Sequence, residues 1–175
     1  VAARAWWMLR WLGHERVRLL NGGLQAWQKR GLPLVVGIEQ AERRDFVPLP
    51  RHDRIVTTSE LSNDIENITA MNLIDARDAA RFRGEVEPID AVAGHVPGAR
   101  NMPFQLSLDE AGCWRPRHEL ESLWSEALGK DTETAWIAMC GSGVTACHLA
   151  LSALEAGYRE PRLYVGSWSE WIRDP

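Results

Sequence analysis

Three pairs of residues, Gly13 and Gly157, Gly22 and Gly166, Trp27 and Trp171, stand 144 positions apart. Between them, Arg18-Leu19-Leu20-Asn21-Gly22-Gly23-Leu24-Gln25-Ala26-Trp27 lies over Arg162-Leu163-Tyr164-Val165-Gly166-Ser167-Trp168-Ser169-Glu170-Trp171. A match of helix end, strand and turn at one fixed offset argues for two copies of a single structural unit. Whatever local structure residues 145–171 adopt, residues 1–27 are expected to attempt as well. By the same offset Val1 corresponds to Thr145, so the first copy is expected to be represented only by its tail.

The division that follows is a remnant of a first unit over residues 1–36, a linker over 37–54 marked by Pro48 and Pro50, and a second unit over 55–175. The second unit is long enough to bury a core of its own. Residues 1–32 are not, and are expected either to dock through Trp6, Trp7 and Trp11 or to hang partly disordered. Within the remnant the pattern predicts a helix over 2–12, a strand over 16–20 and a short helix over 23–30. In the second unit it predicts a helix capped by Ser59 and running to Asn67, a buried strand at 72–75, and a helical turn at 78–82. A short strand near Asn101, a helix over 118–128, a strand at 134–139, a helix over 145–156, a strand at 162–165 and a last helix near 168–172 complete it. Short strands alternating with helices imply an α/β fold, a mainly parallel sheet with helices on both faces. Ligands of such sheets bind beyond the carboxyl ends of the strands.

Cys140 sits at such an end. The apolar run Thr134–Met139 delivers it into Gly141-Ser142-Gly143-Val144-Thr145, just ahead of a helix. Glycines allow a backbone to curl without a Cβ penalty, so successive N–H groups of 141–145 can turn inward. The helix start adds unpaired N–H groups and its positive dipole end. Such a pocket favours an anion, and favours the thiolate of a cysteine held in it. Cys147, inside the helix, and Cys113, in a loop, read as packing residues. Cys140, Cys147 and His148 lack the CxxC or HxxxH spacing of a metal centre, so no metal and no cofactor is expected.

These residues carry a resemblance. The Cys140–Thr145 loop, Asp75-Ala76-Arg77 with Arg81-Phe82-Arg83-Gly84, Gly94-His95-Val96-Pro97-Gly98-Ala99 and Gly166-Ser167-Trp168-Ser169-Glu170-Trp171 resemble the C-terminal, catalytic half of a tandem rhodanese. The Cys-Gly-Ser-Gly-Val-Thr form is similar to that of 3-mercaptopyruvate sulfurtransferases; thiosulfate enzymes more often have two cationic residues after the cysteine. The resemblance implies a rhodanese-like fold and a Cys140 persulfide, with a thiol such as thioredoxin, or cyanide, as acceptor. It implies that Ser142 assists mercaptopyruvate chemistry and that Arg81 binds the anionic end of the sulfur donor. Mercaptopyruvate enzymes commonly have a second arginine after Glu-Pro, where this chain has Ile89 after Glu87-Pro88.

Asp75 and Arg77 read as a structural pair, His95 as the brace of a turn, and Glu170 as a solvated or capping carboxylate. Cell-cycle phosphatases share the fold, but their Cys-x5-Arg loop would need an arginine where Ala146 stands, and without it a phosphoryl group is not neutralised. A non-enzymatic rhodanese-like module usually lacks the cysteine, although a shortened first half leaves room for a loop without a competent cleft.

With 45% hydrophobic residues and a formal net charge of −4, the chain falls in the ordinary globular range. No basic block suggests nucleic acid, and no apolar run approaches the roughly 20 residues of a membrane span. Three cysteines, one reactive, suit a reducing compartment, hence a cytoplasmic location, with a removed targeting peptide still compatible.

Overall fold

A computed structural model describes residues 2–173. Five short strands, β1 (Ile55–Val56), β2 (Leu73–Asp75), β3 (Arg100–Asn101), β4 (Ile137–Met139) and β5 (Arg162–Tyr164), form one sheet in the order β1-β5-β4-β2-β3, with every pairing parallel. The α/β expectation holds, and the sheet is parallel throughout. Helices α1 (Ala2–Trp11), α2 (Gly23–Lys29), α3 (Thr58–Asn63), α4 (Ala79–Phe82), α5 (Arg117–Leu128), α6 (Ala146–Glu155) and α7 (Ser167–Trp171) accompany it.

Successive strand residues point to opposite faces, and the core divides accordingly. Ile74, Ala138 and Leu163 pack with Trp6, Trp7, Leu120, Trp124 and Leu149, from α1, α5 and α6. Leu73, Ile137, Met139 and Tyr164 pack on the other face with Val56, Leu61, Ile68 and Trp168. Both faces are therefore covered, which is why β2 and β4 are buried at every residue. Ala3, Trp6 and Trp7 recur at the i, i+3, i+4 spacing of one helix face and are each at most 6% exposed. Helix α1 docks through this face, with Trp11 packed partly buried at the edge.

Two expectations need correction. Residues 16–20 form no strand; no neighbour offers them a ladder. The helix assigned to Ser59–Asn67 starts at Thr58, because the Thr57 hydroxyl accepts the Glu60 N–H at 3.2 Å. It then gives way to a 3-10 turn at Ile65–Asn67. Strand β1 escaped the sequence reading because two residues show no periodicity. Residues 32–51 contain no helix or strand; the N–H groups of Leu49 and Arg51 donate to Leu12 and Trp11 carbonyls at 2.9 Å. No helix among the described residues is long and apolar enough to cross a membrane.

Candidate active site

Strand β4 ends at Met139, and Cys140 follows with 2% of its surface exposed. Residues 141–145 then turn the chain into α6. Gly143 adopts φ +71°, and a Cβ there would stand 2.6 Å from the Val165 carbonyl oxygen. Only glycine fits that position, by sterics and by dihedral. Among the described residues, the N–H groups of Gly141, Ser142, Gly143, Val144 and Thr145 have no hydrogen-bond acceptor. The Ser142 and Thr145 hydroxyls have no partner either, and Thr145 does not cap α6 with its side chain. A buried cysteine followed directly by five unclaimed backbone donors is an arrangement that can hold an anion.

The α7 turn clamps this loop. The Cys140 N–H donates to Ser167 Oγ at 3.1 Å, and that hydroxyl donates to the Tyr164 carbonyl at 2.8 Å. The Trp168 N–H donates to the Cys140 carbonyl at 3.0 Å, and the Ser169 N–H to the Gly141 carbonyl at 2.9 Å. Ser167 is fully buried with φ +55°, a left-handed conformation that costs a non-glycine residue about 1–3 kcal/mol and persists only where surroundings enforce it. The sequence reading singled out this turn but gave Ser167 and Ser169 no role; a serine between glycine and tryptophan is the only local signal.

Arg81, on the last turn of α4, reaches the loop: a Cβ on Gly141 would lie 3.6 Å from Arg81 Nη2. The arginine is not a free cation. Its Nη2 donates to Glu87 Oε1 at 2.7 Å and to Asp90 Oδ2 at 3.2 Å, and Nε donates to Glu87 at 3.2 Å. Burial pushes the Glu87 carboxyl up, but Arg81 and the N–H groups of Asp90 and Ile89 outweigh it and hold the group below the usual carboxylate range. The Ser169 hydroxyl, shared between Asp90 Oδ1 at 2.7 Å and the Gly141 carbonyl at 2.8 Å, ties this cluster to the loop.

Beneath Arg81, Arg77 is fully buried. Its Nε and Nη2 donate to Asp75 Oδ2 at 2.9 and 2.8 Å, Nη2 also donates to the Gly94 carbonyl at 2.7 Å, and the guanidinium lies 4.8 Å from the centre of a Trp168 ring. This is the structural pair the sequence suggested. His95 stacks on Phe82 at 3.8 Å, its Nδ1 at 2.7 Å from the Phe82 carbonyl, bracing α4. Glu170 is exposed yet accepts from the Thr58 hydroxyl. Burial pushes the Cys147 thiol up to about 11, so it stays protonated and donates to the Gly143 carbonyl at 3.2 Å. Cys113 is half-buried and lies beside Gly22. Among the described residues no cluster of His, Cys, Asp and Glu could hold a metal ion.

A parallel α/β sheet with a glycine-rich cysteine loop at the carboxyl end of a central strand defines a cysteine-centred α/β domain. The rhodanese-like domain family matches residues 57–174, and the chain belongs to that family. It is 45% identical over 175 residues to the probable 3-mercaptopyruvate sulfurtransferase of Pseudomonas aeruginosa, covering 99% of this chain and 61% of that protein. It is 37% identical to the thiosulfate sulfurtransferase of Gallus gallus, covering 98% and 58%. The crystal structure of SseA from Escherichia coli, a 3-mercaptopyruvate sulfotransferase, superposes with a TM-score of 0.77 at 36% identity, over 97% of this chain and 63% of that one. The chain thus spans about six tenths of the length of the curated relatives it matches.

Proposed function

We propose that the chain carries the sulfur-transferring half of a sulfurtransferase, which takes a sulfane sulfur from an anionic donor onto Cys140 and passes it to a thiol or cyanide, with 3-mercaptopyruvate the favoured donor. The observation that carries this reading is Cys140 followed by five consecutive N–H groups that the rest of the described protein leaves unclaimed. The relatives named for both mercaptopyruvate and thiosulfate support the reaction class.

The Cys140 thiolate attacks the donor sulfur. An S–S bond forms, the donor's bond to that sulfur breaks, and its electron pair leaves with pyruvate, which takes up a proton, or with sulfite. The product, Cys–S–S⁻, keeps its charge against the N–H groups of 141–145, the electrostatic logic of an oxyanion hole. A nucleophilic acceptor then removes the outer sulfur and frees the thiolate, as two-step covalent catalysis requires. Ser142, exposed and unpartnered, is available to a donor carbonyl.

Donor choice follows from charge. Thiosulfate brings two negative charges close to its scissile sulfur, and Gly141 and Ser142 supply no cation there. Mercaptopyruvate brings one carboxylate farther from its sulfur. Arg81 is the cation beside Gly141, but Glu87 and Asp90 already neutralise it, so a donor carboxylate must displace Asp90, the longer of the two contacts. A high KM results.

Two measurements test this. Exposure to donor should add about 32 Da, one sulfur, to the Cys140 peptide; Cys140→Ser should abolish the label and Cys147→Ser, which keeps a donor to the Gly143 carbonyl, should retain it. Label on Cys113 or Cys147 instead would remove Cys140 from the mechanism. In steady state, Arg81→Ala should lower kcat/KM for mercaptopyruvate by about 10–100-fold, the loss of one charge-assisted contact of roughly 1.5–3 kcal/mol. Asp90→Asn should lower KM. A larger kcat/KM for thiosulfate in the unaltered protein would overturn the donor assignment.

A further inference from the structure

Arg4 belongs to α1, 139 positions before the carbonyl it touches. Its Nη1 donates to the Gly143 carbonyl oxygen at 3.0 Å, and the guanidinium lies 5.5 Å from the centre of the Trp7 ring. A second donor, the protonated Cys147 thiol, meets the same oxygen at 3.2 Å. Two donors on one carbonyl of a six-residue loop are more than docking a helix requires, since Trp6 and Trp7 already bury α1.

The consequence lies one atom further along the chain. Across a trans peptide the C=O and N–H point in opposite directions, and there are no cis peptides among the described residues. Holding the Gly143 carbonyl toward Arg4 and Cys147 turns the Val144 N–H the other way, and that N–H has no acceptor among the described residues. Glycine's freedom at φ +71° would otherwise let this peptide rotate. A guanidinium on the oxygen also polarises the amide, making its N–H a stronger donor.

We propose that Arg4 is a positioning residue for the sulfur-bearing loop: from α1 it locks the Gly143–Val144 peptide so that the Val144 N–H faces the anionic sulfur on Cys140. This rests on Cys140 being the sulfur carrier. Helix α1 then contributes to the reaction through the loop as well as to the core.

The test is the rate of iodoacetamide alkylation at each cysteine of the full chain at neutral pH, resolved by peptide mass spectrometry, beside the single-turnover rate of Cys140 persulfide formation. Arg4→Met is expected to slow both Cys140 reactions about tenfold, less than the roughly hundredfold or more that follows loss of an anion-holding donor itself. Arg4→Lys, which keeps a charged donor, should recover most of the loss, and the donor KM should stay put. A merely structural role moves alkylation the other way, because a loosened loop exposes Cys140 and Cys147 and both react faster. Cys140 alkylated at the unaltered rate or faster in Arg4→Met overturns the proposal. Should Arg4→Met fail to fold, Arg4→Leu removes the same donor, and a Cys140 rate unchanged or faster there overturns the proposal equally. Unaltered protein that accepts no sulfur, yet shows the slowed alkylation in Arg4→Met, would sink the sulfurtransferase reading and leave the role of Arg4 standing.

Discussion

Residues 18–27 and 162–171 share a sequence pattern at an offset of 144, and the fold treats them differently. Arg162–Tyr164 is strand β5, with β1 on one side and β4 on the other. Arg18-Leu19-Leu20 forms no strand, and Leu20 is 55% exposed. The turns that follow are both helical, at Gly23–Lys29 and Ser167–Trp171, because a helix closes its hydrogen bonds within itself while a strand needs a neighbour. Helices α1 and α6, equivalent by the same offset, pack against each other in one core. Position 4 sends an arginine to the sulfur-bearing loop; position 148 holds a histidine between Phe104 and Trp114. A repeated sequence therefore fixes local shape twice, while the neighbours present decide what each copy does with it.

The contrast is sharpest at positions 24 and 168. Trp168 is 4% exposed, donates Nε1–H to the Val92 carbonyl at 2.8 Å and lies against Arg77; Leu24 is 58% exposed. Trp168→Ala should cost about 3–5 kcal/mol in urea unfolding, and Leu24→Ala no more than about 0.5 kcal/mol. Comparable losses would mean that the two turns are equally packed and that the contrast is wrong.

Position 148 comes next in size. Burial pushes the His148 pKa down to about 4, and its Nε2 lies 3.0 Å from Ser107 Oγ, which itself donates to the Phe104 carbonyl. The unfolded chain takes up this proton near pH 6.5, and the folded one near pH 4. Stability from the neutral imidazole is present above pH 6.5 and is lost as pH falls toward 4, by up to about 1.4 kcal/mol per pH unit. Unfolding free energy followed from pH 7 to 4 should lose that slope in His148→Phe and keep it in Arg4→Met. A slope that survives His148→Phe would assign it to other groups.

The smallest effect concerns the two turn glycines. Gly22 has φ +76°, and a Cβ on it would stand 2.7 Å from Cys113 Sγ; Gly166 has φ −62°, and a Cβ on it would meet the Glu170 side chain. Gly22→Ala should therefore carry a left-handed backbone penalty of about 1–2 kcal/mol that Gly166→Ala lacks. Equal thermal shifts beyond the contact with Glu170 would show that the turns share one geometry after all.

Much of the Cys140 loop was legible because its cues are local. A buried apolar run, a cysteine, two glycines and a helix pattern specify strand, turn and helix in order, and the loop from 141 to 145 lies where those cues put it. Asp75 with Arg77 was legible too, two residues apart at a strand end. The engagement of Arg81 by Glu87 and Asp90 was not: a carboxylate after Glu-Pro reads as a solvated charge until the chain is seen to fold back over the guanidinium. Nor was β1, whose two residues have no periodicity to detect, nor Ser167 and Ser169, whose role lies in the loop they clamp.

By itself the sequence determined the alternation of elements, the repeat, the place of Cys140 and the need for glycine around it, since each rests on propensity, period or sterics within a few residues. Tertiary structure decided which of the two matching segments became a sheet strand, that Glu87 and Asp90 engage the charge of Arg81, and that α1 reaches across to the Gly143 carbonyl. Those outcomes depend on ladders, ion pairs and hydrogen bonds between residues far apart in the chain, and such contacts exist only once the chain has folded.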